Sequence, residues 1–156
     1  LDGSALFCGF YMNELLLNLL PTHDPHPGVF RLYLDALGEL GTGVSHEAVL
    51  RFFEAALLEE IGYGLSLDRE AHGKVIDPTK AYAYVPEEGP VELPDPSPDG
   101  VHGATLLGLK HRRLEHPEQL QEAKRLMRRI IHHHLNGRML KSRDLFKAYE
   151  LKSDSP

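Results

Sequence analysis

Residues 45–64 read SHEAVLRFFEAALLEEIGYG, and the spacing inside this stretch decides the fold class. Val49, Phe52, Phe53, Ala56, Leu57 and Ile61 fall at i, i+3, i+4, i+7, i+8 and i+12, the repeat of one face of an α-helix. Arg51, Glu54, Glu59 and Glu60 lie off that stripe, so the periodicity predicts an amphipathic helix with a polar edge. Ser45 is placed to cap its first turn. The GYG at residues 62–64 ends it, because glycine readily takes the left-handed conformation that follows a helix C-terminus.

The flanking segments carry the same period. Over residues 4–20, Leu6, Phe7, Phe10, Tyr11, Leu15, Leu16, Leu19 and Leu20 leave little polar face, which predicts a helix central in a bundle. The run PTHDPHP breaks it, and Pro27 suits the first turn of a second helix over residues 27–40. Downstream, GATLLGLKHRR predicts a short helix from residue 103, and Pro117 opens a long one that closes at Asn136-Gly137. Leu120, Ala123, Met127, Ile130, Ile131 and His134 form its inward stripe. Ser142 is the expected N-cap of a last helix reaching about residue 150, with Leu145 and Phe146 docking on the bundle.

Between residues 65 and 102 the chain turns rich in Pro, Gly and Asp, with one alternating run, AYAYV. A small hairpin is expected around Lys80–Val85 and Val91–Leu93. The fold class is therefore mainly α: a helical bundle over residues 4–64 and 103–150, an inserted irregular or β-hairpin lobe over 65–102, and a flexible polar tail over 151–156.

Composition narrows the function classes. An apolar fraction of 42% and a charged fraction of 26% are those of an ordinary globular domain, and no apolar run is long enough for a membrane span or a signal peptide. The single cysteine, Cys8, lies between Phe7 and Phe10 and reads as a small core residue in a reducing cytoplasm. Charge is polarised along the chain. Residues 1–109 hold 5 Lys+Arg against 17 Asp+Glu, a net of −12. Residues 110–147 hold 11 against 4, a net of +7, within a total of −6. Such a segment makes a local positive field that suits phosphates or an acidic peptide.

Ten histidines invite a metal reading, but no HExxH spacing is present. Successive helical residues point about 100° apart, so His132, His133 and His134 are not expected to share one ion, and no metal ligand is nominated. Elbow, phosphate-loop and dinucleotide motifs are all missing, which argues against an enzyme. A metal-dependent hydrolase built on scattered His and Asp residues, or a purely structural interaction module, stand as alternatives. GRMLKSR, residues 137–143, sets three cations around a turn beside a helix N-terminus, whose free N–H groups favour anions.

Four blocks, GFYMNELLLNLLPTHDPHPGVFRLYLDAL, LRFFEAALLEEIGYGLSLD, GATLLGL and AKRLMRRIIHHHLNGRMLKSRDLF, resemble in order the C-terminal region of the bacterial DNA repair protein family RecO. The resemblance implies a non-catalytic recombination mediator, cytoplasmic and nucleoid-associated, that binds single- and double-stranded DNA, anneals strands, and works with RecR to load recombinase on DNA coated by single-strand binding protein. It also implies that the family's N-terminal OB-fold domain, which carries most of the DNA contact, lies outside this chain, in keeping with a start that lacks Met. Relatives with a zinc-finger-like lobe use four cysteines there. Residues 65–102 have none, so the cofactor expectation is none, with the lobe packed around Tyr82, Tyr84 and Val85. Arg51 and Phe52 match the region implicated in holding the acidic, Phe-ended tail of single-strand binding protein. Lys124, Arg128, Arg138, Lys141 and Arg143 are the candidate DNA or anion contacts.

Overall fold

The computed structural model describes residues 3–21, 23 and 25–153. Six helices and a small sheet follow one another as α1 (Gly3–Leu19), α2 (Pro27–Leu40), α3 (His46–Glu60), β1 (Ala81–Val85), β2 (Gly89–Glu92), β3 (Val101–His102), α4 (Gly103–His111), α5 (Pro117–Leu135) and α6 (Ser142–Ser153). Helix α3 is the axis of the bundle and packs against α1, α2, α4 and α5. Its stripe is buried as the periodicity requires, with Val49, Phe52, Phe53 and Leu57 in the core. Arg51 and Glu54, on its expected polar edge, are buried too, because α1 and α5 cover the side that α2 leaves open. Ser45 Oγ accepts from Ala48 N at 3.4 Å, the capping contact expected at its start.

The lobe is a three-stranded antiparallel sheet in the order β2-β1-β3. The hairpin register pairs Tyr82 with Glu92 and Val85 with Gly89. Strand β3, only two residues long, offered no alternating pattern to read, and it runs straight into α4. Tyr82 and Tyr84 are buried, Val85 half-buried. Their hydroxyls accept from backbone N–H groups of Asp77 at 2.9 Å and Ser66 at 3.2 Å, which ties irregular backbone to the strand. A glycine is required where β3 meets α4: a Cβ on Gly103 would sit 2.0 Å from the Asp77 carbonyl oxygen.

Three expectations change. Helix α1 is not enclosed: Met12, Leu15 and Leu19 are buried, but Leu6, Phe10 and Leu17 are exposed. Helix α6 docks on α1 through Phe146 and Tyr149, whose rings lie 5.8 and 4.9 Å from that of Phe7, while Leu145 points outward and is 55% exposed. The tail expected from residue 151 is helical through Ser153; residues 154–156 lie outside those described.

Candidate nucleic-acid and partner interface

Helix α5 separates its chemistries cleanly. Ala123, Leu126, Met127, Ile130, Ile131 and His134 face the core, while Lys124, Arg125, Arg128 and Arg129 are exposed. Lys124 Nζ pairs with Glu47 at 3.3 Å, both exposed, a contact worth little and easily exchanged. Arg125, Arg128 and Arg129 line a cleft of about 200 Å³ against the lobe, with Tyr84 and Asp99 opposite. Arg129 Nη2 donates to the Tyr84 carbonyl at 3.5 Å. Glu122 fixes the neighbouring junction. It accepts from the His102 backbone N–H at 3.1 Å and from Thr105 Oγ1 at 2.6 Å, and contacts His102 Nδ1 at 2.5 Å. Burial would raise its pKa, but these donors outweigh burial and hold it below the usual range.

Arg51 is not at the surface. It is 7% exposed and Glu54 is 1% exposed, and the two form an ion pair inside the bundle. Arg51 Nη2 donates to Glu54 Oε1 at 2.9 Å. The 2.8 Å approach of Nε to Oε2 is an ion contact without the alignment of a hydrogen bond. The Tyr11 hydroxyl donates to Oε1 at 2.5 Å. Desolvation raises the pKa of Glu54 despite Arg51, Tyr11, Arg143 and Arg128, and burial also pushes the Tyr11 phenol well above its ordinary value. The expectation that Arg51 meets a partner's carboxylate is therefore corrected: its guanidinium is spent on neutralising a buried charge.

Phe52 sits in a different setting. The Arg112 guanidinium lies over its ring, 4.8 Å from the centroid, and Arg112 Nη2 donates to Glu39 Oε1 at 2.7 Å. Arg112 reaches this place because it caps α4 in the left-handed conformation, φ 57°. Together with Leu32, Ala36, Val49 and Phe53, these residues line a groove of about 690 Å³ between α2 and α3. Sequence reading counted Arg112 among the cations but had no signal for its contact with Phe52, which lies far away along the chain.

The turn before α6 is also corrected. Its N-terminal N–H groups are not free for an external anion, because Glu14 of α1 already occupies them. The Lys141 backbone N–H donates to Glu14 Oε1, and that of Ser142 donates to Oε2 at 2.8 Å. Burial pushes the Glu14 pKa up, but the Ser142 and Lys141 donors prevail and leave it lowered. Arg138 Nε donates to the Leu135 carbonyl at 3.0 Å and caps α5. Lys141 is exposed and Arg143 half-buried. Of the five expected DNA contacts, Arg128 and Lys141 are exposed, Lys124 is exposed but paired with Glu47, Arg138 donates to the Leu135 carbonyl, and Arg143 is half-buried.

Among the histidines, His132 is exposed on its own side of α5, while His133 and His134 approach Glu87 at the β1–β2 turn. Two of the three consecutive residues bring ring nitrogens near one another and His132 does not, and no spacing in the chain signals that the hairpin brings a carboxylate to that pair. A four-thiolate zinc site does not fit the lobe, since Cys8 of α1 is the chain's one cysteine. Among the described residues, no helix is long and apolar enough to cross a membrane.

The family "Recombination protein O C terminal" matches residues 1–144. The chain is 54% identical over 149 residues to the DNA repair protein RecO of Methylococcus capsulatus, covering 95% of this chain and 61% of that protein. It is 44% identical over 153 residues to DNA repair protein RecO of Aromatoleum aromaticum, covering 96% and 64%. Against DNA repair protein RecO of Pseudomonas paraeruginosa it is 44% identical over 146 residues, covering 94% and 63%. The chain thus spans a little over three fifths of the length of these curated relatives. Helices where the periodicity put them, the α5 and α6 cations and these matches agree: the chain belongs to the recombination protein O family and corresponds to its C-terminal region.

Proposed function

We propose that this region serves DNA repair as a binding surface, without catalytic turnover, in a recombination mediator. It would work in the cytoplasm beside the nucleoid, with RecR, DNA and the tail of single-strand binding protein as partners. The observation that carries the reading is the row of exposed cations on α5, Lys124, Arg125, Arg128 and Arg129, in a chain whose net charge is otherwise acidic. Phosphate binding needs such a row. The aromatic lining the cleft beside that row, Tyr84, is buried and offers no exposed stacking face, which suits backbone contact better than base stacking.

For the acidic, Phe-ended tail we move the contact from Arg51 to the α2–α3 groove. Phe52 and Phe53 supply an apolar wall, and Arg112 supplies a cation held by one exposed carboxylate, Glu39. An incoming carboxylate can replace Glu39 on that guanidinium at small cost, since exposed ion pairs are weak. Fluorescence anisotropy with a labelled acidic peptide ending in Phe tests this. Arg112→Ala should weaken binding by about tenfold, the worth of one charge-assisted hydrogen bond. Undiminished affinity in that variant would remove the groove from the reading.

A further inference from the structure

From the geometry we infer a divalent transition-metal site, of zinc-binding chemistry, made by Glu87, His133 and His134 where the lobe's hairpin meets the end of α5. One ligand atom from each lies within 4.8 Å of the other two. They come from two distant parts of the chain, so helical proximity alone does not explain the cluster. His133 Nε2 stands 3.6 Å from Glu87 Oε1. The imidazole rings of His133 and His134 are 5.2 Å apart and nearly perpendicular, at 80°.

Two local features hold the donors in place. Glu87 takes a left-handed backbone, φ 69°, at the tip of the β1–β2 turn, a conformation that a non-glycine side chain adopts at a cost. His134 is 9% exposed and its ring stacks on Tyr63 at 4.1 Å and 19°, so the tyrosine of the GYG turn fixes one imidazole. The other two donors are exposed and able to adjust. Tetrahedral zinc with bonds of about 2.0–2.1 Å needs donors about 3.3 Å apart, and rotation of the Glu87 and His133 side chains, 72% and 46% exposed, closes that difference. Two imidazoles and a carboxylate suit zinc and leave a fourth position for water. A bound ion would strap the hairpin to the bundle, in a lobe whose sequence offers no cysteine for an internal zinc.

The test is calorimetric titration of the whole chain, free of any purification tag, with zinc alone. One ion per chain is expected, with affinity falling at least about tenfold in both Glu87→Gln and His133→Ala. His132→Ala, one residue away and exposed, should leave it unchanged. Both sensitive positions are at the surface, so these variants keep the fold. Amide resonances of the 86–89 turn and the end of α5 should shift together on zinc addition. Binding lost equally in His132→Ala, binding retained in Glu87→Gln together with His133→Ala, or no saturable binding would each overturn the site.

Discussion

Arg51 shows what a single residue's place in a periodic pattern does and does not say. Its position off the Val49–Phe52–Phe53 stripe marks a polar edge only when a helix has one packed face, and α3 has helices against it on several sides. What the stripe could not convey is that Glu54, three residues on, shares the opposite side and that Tyr11, 43 positions away, donates to it. A buried ion pair is costly to break from one side, because the remaining charge has lost both water and partner. Arg51→Ala should therefore lower unfolding stability by about 3–5 kcal/mol, read from urea midpoints. Glu54 is held above the ordinary carboxylate range, so the folded protein binds that proton more tightly than the unfolded chain does. Stability then falls as pH rises from the usual glutamate range through the raised value, and more steeply without Arg51. Adding Glu54→Gln to Arg51→Ala should recover part of the loss and flatten the pH dependence. An Arg51→Ala protein as stable as the parent would mean that the pair contributes nothing to holding the bundle together.

Elements were legible wherever a 3.6-residue period or a glycine stop ran long enough to count, which is why the helices begin within a residue of their expected starts. The lobe was legible only as AYAYV, since β3 is two residues long and its pairing with β1 depends on chain folding back from elsewhere. The same limit hid the start of α6. Ser142 and the surrounding cations were readable as a helix N-terminus, but the anion that meets it comes from α1, 128 positions away. Glu14 thereby joins the first and last helices, next to the Phe7–Phe146 contact. Its net lowered pKa means that it stabilises the fold above the ordinary glutamate value and that this contribution fades as pH falls through the lowered one. Glu14→Ala should speed amide exchange from residue 142 through the first turns of α6, at a cost of about 1 kcal/mol, and leave α2 and α3 exchange unchanged. Unaltered protection in α6 would show that aromatic docking alone retains the helix.

At the scale of the whole molecule, the polarisation counted along the chain becomes a spatial one, because α5 turns its cations outward on the side where the lobe closes a cleft. Net charge alone, at −6, argues against phosphate binding, and the proposed reading rests on the gathering of cations on one helix face. That arrangement has a measurable consequence. Each phosphate neutralised on a single strand releases counterions, so log affinity falls with log salt by about 0.7 for every contact. Arg125 and Arg128 are both exposed and line the same cleft, and replacing both with Ala should lower the magnitude of that slope by about 1.4 in single-stranded DNA titrations. The same double variant should leave the proposed acidic-peptide binding in the α2–α3 groove nearly unchanged, since Arg112 and Phe52 lie in a separate pocket. A slope that stays constant while affinity drops would point to a loss of fold or of shape and not of phosphate contacts. Absence of any salt-dependent DNA binding by this region would overturn the proposed phosphate contact on α5 and leave its cations to a protein partner's acidic surface.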